Sequence, residues 1–334
     1  MKIRAFKCSS GSSWWRIDSP ANWINSETKH EYLTFDARDW SGDILDGDIV
    51  VLQMIVNPEI IEQIHAQGAK VVYEIDDLLT KRTYRREVDN PEMFIINTIK
   101  MLKGADLVTT TTKPLAKELK KYAKRVVVIP NYIDLDWWGS PLKIKRRGDI
   151  RIGWAGSTSH LSDLEYLKEP IAKILKEFDN TTFIYCGAGG TSSDLVSTEL
   201  MFGRDIFSNI PRERKEYHLG TNTETWAAKS KTLHLDIALA PLINDEFNQC
   251  KSNIKWQEYS LNEWAGVYSD LAPYSEISGA LKAKDQEGFY QQIKYLITHP
   301  KERANMARAS RQYVLRDWTM AKNYNKWVKA FENV

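Results

Sequence analysis

The stretch Asp236-Ile-Ala-Leu-Ala-Pro-Leu-Ile-Asn-Asp-Glu-Phe-Asn-Gln-Cys-Lys-Ser-Asn-Ile-Lys-Trp-Gln-Glu-Tyr259 decides how this chain is to be read. An apolar run, Ile237 to Leu242, has strand character, is stopped by Pro241 and gives way to a polar loop. The loop feeds a segment that reads as a helix whose first turn carries Lys251, Ser252, Asn253 and Lys255. A helix that starts beside the mouth of a sheet with serine and lysine in place can hold a phosphate. Its free N–H groups and the positive end of its dipole face the anion, and a lysine adds full charge. Glu258 follows Lys255 by about one turn, and a carboxylate there suits a ribose diol better than a phosphate. No Gly-Lys-Ser/Thr is present, so the chemistry suggested is nucleoside-diphosphate binding without a P-loop.

A chain of 334 residues is long enough for two domains, each with its own core. A hydrophobic share of 43% with 27% charged residues is ordinary for a soluble globular protein. A net charge of +2 gives no strong general field for nucleic acid. Locally the balance shifts: Lys81 to Arg86 has four basic residues, Lys113 to Arg125 six and Lys143 to Arg151 five. These runs read as solvated faces and linker, or as a basic rim toward an anionic acceptor or membrane. Cys8, Cys186 and Cys250 are far apart and odd in number, with neither metal spacing nor a disulfide framework, which favours a reducing compartment. The N-terminus lacks an apolar core of signal-peptide length, and no run approaches ~18 apolar residues. The expectation is a soluble, cytoplasmic protein. Trp14, Trp15, Trp137 and Trp138 lie in polar segments, where they stack on sugars or bases or brace an interface.

Working outward, strand and helix signals alternate over residues 1–134. Strand candidates are Lys2 to Lys7, Tyr32 to Phe35, Asp48 to Gln53, Lys70 to Ile75, Leu107 to Thr110 and Val126 to Ile129. Helices fall between them, one starting at Asn57-Pro58-Glu59 and ending at Gly68, a residue type suited to a C-cap. Pro130-Asn131 breaks the pattern, and Tyr132 to Asp149 reads as an aromatic, then basic, connector. A second series follows: strand Asp149 to Ala155, helix Asp163 to Phe178, strand Thr182 to Cys186, strand Leu235 to Leu242, helix Ser252 to Trp264 and strand Gly266 to Ser269. Gly187 to Leu219 gives no clear period. Helices run to the end, the last bearing an apolar stripe of Trp318, Tyr324, Trp327 and Phe331. The fold class is therefore α/β, with two doubly wound Rossmann-like domains in tandem.

In open parallel sheets ligands bind beyond the carboxyl ends of the strands. The first strand of the second half runs into Gly153-Trp-Ala-Gly-Ser-Thr-Ser-His160. Gly156 permits close backbone approach, and Ser157, Thr158 and Ser159 can cap the next helix or donate to phosphate. The three-glycine spacing of the nicotinamide fingerprint is missing, and Gly187-Ala-Gly-Gly190 reads as a flexible turn or a donor-site contact.

These residues resemble a known family. Asp236 to Leu242, Phe247-Asn248, Lys251-Ser252, Lys255 and Glu258-Tyr259 resemble the donor half of GT-B-fold glycosyltransferases, group 1 (family 4). Ile152 to His160 looks like their phosphate loop, and Val128-Ile-Pro-Asn-Tyr-Ile-Asp134 like the segment joining their two domains. Val71 to Asp77 and Asp106 to Thr111 resemble the same group, and the likeness covers roughly residues 45 to 275. It implies an acceptor-binding domain at 1–134, joined by a C-terminal helix at about 316–334 that crosses back to it. It implies a nucleotide-sugar domain at 135–315, and a sugar transferred from a nucleoside-diphosphate sugar, such as a UDP-sugar, to a hydroxyl of a saccharide, lipid-linked glycan or protein.

By position in that resemblance, Glu258 takes the donor ribose, while Lys251, Ser252, Gly156 and Ser157 hold the diphosphate and stabilise the departing charge. The resemblance implies that protein groups serve where other transferases use a cation, so the expectation is a metal-independent enzyme that uses no cofactor beyond its donor. The family's motif has another glutamate eight positions before the ribose glutamate, and here that residue is Cys250. This leaves retaining against inverting stereochemistry open. An inverting enzyme needs a base, for which Asp76 or Asp77 at a strand's carboxyl end qualifies, with His160 a second candidate or a donor contact. Arg16 follows Ser9 to Trp15 and reaches a donor phosphate, binds an anionic acceptor, or packs on Trp15 at the surface. Trp226 stacks on a base or anchors the core. Two other readings stand beside the main one: transfer to a hydroxymethylated base in DNA, through the basic rims and exposed tryptophans, and a non-catalytic nucleotide- or glycan-binding protein, favoured by Cys250.

Overall fold

The computed structural model describes residues 1–8, 11–82, 89–141, 148–157, 160–187 and 206–334. Thr158, Ser159 and all but Gly187 of the Gly187-to-Gly190 turn lie outside the described residues. The chain forms two compact units. The first comprises Met1–Asp134, Glu246–Ser252 and Trp318–Val334, and the second Leu135–Asp245 and Asn253–Asp317.

Strands β1 (Lys2–Lys7), β2 (Glu31–Asp36), β3 (Ile49–Gln53), β4 (Lys70–Glu74), β5 (Leu107–Thr110) and β6 (Val126–Val128) build the sheet of the first unit. All pair in parallel, in the order β2-β1-β3-β4-β5-β6. Continuous apolar runs such as Ile49 to Leu52 are what a sheet covered on both faces requires. Alternate residues accordingly enter two cores: Val50, Leu52, Val71 and Tyr73 on one face, Ile49, Val51 and Val72 on the other. Helix Glu59–Ala66 is followed by Gly68 at φ +86°, the left-handed conformation that favours glycine after a helix. The C-terminal segment seals the second core with Met320, Trp327, Ala330 and Phe331, and Tyr32 meets Phe331 edge-on at 6.0 Å. It comes as two short helices, Met320–Asn323 and Asn325–Phe331, tied at Ile133 through Thr319.

The second unit repeats the plan with β7 (Ile150–Gly156), β8 (Thr181–Gly187), β9 (Lys215–Leu219), β10 (Ile237–Ala240), β11 (Ala265–Ser269) and β12 (Leu281–Ala283). The sheet is again all parallel, in the order β12-β11-β10-β7-β8-β9. The chain leaves β7 toward β9, then returns to β10 on the other side of β7. The loops after β7 and β10 thus part in opposite directions and open the crevice where such sheets bind ligands.

Several boundaries differ from the sequence reading. The helix expected over Asp163 to Phe178 is two, Leu161–Glu165 and Lys168–Glu177. Pro170 lacks the N–H that would continue the first helix, yet is tolerated within the first turn of the second. The helix expected from Ser252 begins at Ile254, after Asn253. Consequently Lys251 and Ser252 precede it and pack with the first unit, while Lys255 and Glu258 belong to the second. No helix among the described residues is long and apolar enough to cross a membrane.

Candidate functional site

The crevice of the second unit begins at Gly156, the last residue of β7. A β-carbon there would lie 2.5 Å from Trp154 Cζ2 and 3.2 Å from Lys255 Nζ, so only glycine lets the turn fit between ring and ammonium. Lys255, in the first turn of helix Ile254–Leu261, donates to the carbonyl of Ala155 and stands over the Trp154 ring at 5.3 Å. Charge, a glycine turn and the exposed Ser157 are thereby gathered at one strand end. The next turn of the same helix carries Glu258, only 8% exposed, whose Oε1 accepts a 3.0 Å hydrogen bond from Trp226 Nε1. Burial pushes the Glu258 carboxyl up to about 7, with Lys255 and the Trp226 bond pulling it back in part. Trp226 sits on helix Thr223–Lys231 and is half-buried, and its indole N–H orients the carboxylate.

His160 lies just before helix Leu161–Glu165, and its Nδ1 shares a 2.8 Å hydrogen bond with Asp163 Oδ2. Asp163 is wholly buried, and its Oδ1 accepts the backbone N–H of Ile243 at 2.9 Å. One carboxylate therefore joins the loop after β7 to the loop after β10. Nothing in the spacing of Asp163 singles it out from an ordinary first-turn aspartate, because its second partner is some 80 residues away.

In the first unit, the carboxyl end of β4 carries Asp76 and Asp77. Asp76 Oδ1 is shielded from solvent without a hydrogen-bond partner among the described residues. Burial raises the Asp76 carboxyl above the usual carboxylate range, and the charges of Asp77 and Glu74 push the same way, against Arg16 and Lys251. Asp77 Oδ1 accepts from Lys251 Nζ at 2.8 Å, and that ammonium also lies 4.4 Å from the centre of the Phe247 ring. Ser252 Oγ accepts from Asn131 Nδ2 at 3.0 Å. The lysine beside the Gly156 turn is thus Lys255, whereas Lys251 is paired with Asp77.

Arg16 corrects its expectation. It is 0% exposed, bound to Glu74 through Nε at 2.8 Å and Nη2 at 3.0 Å, and to the Ile129 carbonyl and Asn131 Oδ1 through Nη1. Trp327 stacks on it at 5.2 Å. A guanidinium so committed is an internal brace, not a surface group on Trp15 or an anion contact. Cys250 is buried in the first unit's core, where burial pushes its thiol up to about 12.

No family model matches the chain, and no curated protein matches it in sequence. Solved structures do. HepE of Anabaena, solved in complex with UDP and glucose, superposes with a TM-score of 0.71 at 11% identity, covering 100% of both chains. A glycosyltransferase from Rickettsia africae gives 0.71 at 13% identity, over 99% of this chain and 98% of that one. Sucrose-phosphate synthase from Thermosynechococcus elongatus gives 0.70 at 10%, over 100% and 98%. With its two six-stranded parallel sheets, the chain has the GT-B fold of two Rossmann-like domains in tandem.

Proposed function

We propose that the protein is a glycosyltransferase that moves a sugar from a nucleoside-diphosphate sugar to an acceptor hydroxyl. The observation that carries this is the grouping of Gly156, Lys255 and the Trp226-held Glu258 at the switch point of the second sheet. Backbone N–H groups and an ammonium suit a diphosphate, and a buried carboxylate one turn away suits the ribose diol. The likeness to HepE, which was solved with UDP and glucose bound, supports a uridine donor. The acceptor oxygen attacks the sugar's anomeric carbon, the bond to the diphosphate breaks, and the nucleoside diphosphate takes the electron pair. Positive charge at that oxygen then lowers the barrier.

For the acceptor's proton, Asp76 is the candidate base, and Asp77 with Lys251 sets the charge around it. A raised carboxyl suits a base working near neutral pH. Metal independence is part of the proposal, with Lys255 and the turn's N–H groups supplying the positive charge. No observation among the described residues favours the DNA-base acceptor or the non-catalytic reading.

The test is a thermal-shift screen over nucleotide sugars with the wild type, Glu258→Ala and Lys255→Ala. A ligand at 100 times its Kd stabilises the folded state by about 2.7 kcal/mol. Stabilisation of the wild type that both variants lose supports the site; no response, or an equal response in all three, sinks it.

A further inference from the structure

We infer that Tyr259 is a positioning residue of the donor site. Its hydroxyl fixes helix Ile254–Leu261 against the fork between β7 and β10, and so sets the span from the Gly156 turn to Lys255 and Glu258 that a bound nucleotide sugar must match. This rests on the donor site proposed above. The ladder between β10 and β7 ends at Ala238 and Gly153. Beyond it β10 continues beside β11 as far as Ala240, and β7 beside β8 as far as Gly156, so the two strands part where the crevice opens. Helix Ile254–Leu261 holds both prongs of this fork. Tyr259 Oη donates to the Leu239 carbonyl on β10 at 3.1 Å, and Lys255 Nζ, one turn earlier, donates to the Ala155 carbonyl on β7. Tyr259, Leu239 and Ala155 are all buried, so water does not compete for these groups. Burial also pushes the Tyr259 hydroxyl well above its ordinary value, which keeps its proton on for donation, while the Ala155 backbone N–H pulls the other way. One phenolic oxygen thus interacts with both strands. Glu258 directly precedes Tyr259 and Lys255 lies four residues before it, so a shift of the helix moves carboxylate and ammonium together relative to Gly156. A displacement of about 1 Å is enough to spoil such an arrangement.

The test is Tyr259→Phe, which removes the hydroxyl and keeps the ring with its packing on Trp264 at 5.7 Å and Tyr268 at 6.1 Å. Urea denaturation checks folding. Calorimetry on the folded variant then measures UDP-glucose and UDP, or GDP-mannose and GDP if the screen selects guanosine. The expected result is affinity reduced about tenfold or more for both ligands, because the buried Leu239 carbonyl loses this donor and the helix shifts. In the double variant with Lys255→Ala, the two losses should combine to less than their product, since hydroxyl and ammonium hold one helix to one fork. A hydroxyl with a merely structural role would lower the urea midpoint and leave the affinity of the folded protein at the wild-type value, which would overturn the inference. So would losses that multiply in full. If the wild type binds no nucleotide sugar, the donor site and this inference fall together. If the wild type binds, Lys255→Ala binds more weakly and Tyr259→Phe binds unchanged, the donor site stands and the inference alone falls.

Discussion

The ammonium of Lys255 stands 3.2 Å from the point that a β-carbon on Gly156 would occupy, and the Trp154 ring stands 2.5 Å from the same point. A turn wedged between a cation and a buried ring has no room for growth. Gly156→Ala should cost about 1–3 kcal/mol of stability through overpacking. It should also weaken nucleotide binding, because Lys255 or the ring must give way. Chemical denaturation and calorimetry measure the two effects, and unchanged binding would remove Gly156 from the site.

Glu258 makes stability depend on pH. Its folded carboxyl titrates at about 7 because of burial, above its unfolded value. The folded state then holds more protons than the unfolded one between those values, so stability falls as pH rises through that window. Between pH 5 and pH 8 the wild type should lose about 1–3 kcal/mol more than Glu258→Gln. Denaturant midpoints at the two pH values provide the comparison.

Arg16→Met leaves Glu74 buried beside Thr109 without its counter-charge. Removing one partner of a buried pair costs about 3–5 kcal/mol. Arg16→Lys recovers little, because an ammonium cannot present the fork that reaches Glu74, Ile129 and Asn131 together. Thermal unfolding reads both variants.

Asp76→Asn should lower turnover by about 10²–10⁴-fold while nucleotide binding persists. With Asp76 as base, activity rises with pH as the raised carboxyl ionises. Asp77→Asn removes a like charge and should shift that rise to lower pH. An unshifted profile would take Asp76 out of the role.

If Lys255 and the turn's N–H groups meet the leaving diphosphate, a chelator should not matter. Activity after dialysis against EDTA should equal activity before it. Loss restored by a divalent cation would assign that charge to a metal instead.

Much of the fold was legible in the sequence, because strands buried on both faces are apolar whatever their neighbours. Ile49 to Leu52 and Ile237 to Ala240 announce themselves for that reason. The edge strands β9 and β12 do not: Lys215 to Leu219 is half-exposed throughout and falls within the Gly187-to-Leu219 stretch that gives no clear period. At the site, Gly156 and Glu258 were read from local motifs. Lys255 is visible in the motif, but nothing local sets it above Lys251, since helical register alone cannot reveal that Glu246–Ser252 packs with the first unit. Asp163 carries no local signal, because its meaning lies in a contact with Ile243 in the loop after the neighbouring strand β10.

The first unit is assembled from three separate stretches of chain. Cys250 lies in its core, with its carbonyl bonded by Thr112 at 2.9 Å, and Trp327 and Phe331 close its other face. A fragment ending at Asp134 would thus present two unfilled hydrophobic faces. On the ribosome, where chains emerge N-terminus first, the first half must wait in an incomplete state until Trp318–Val334 has been made. The C-terminal unit is free of that delay after Asp317, so the part synthesised later is the one positioned to finish folding earlier.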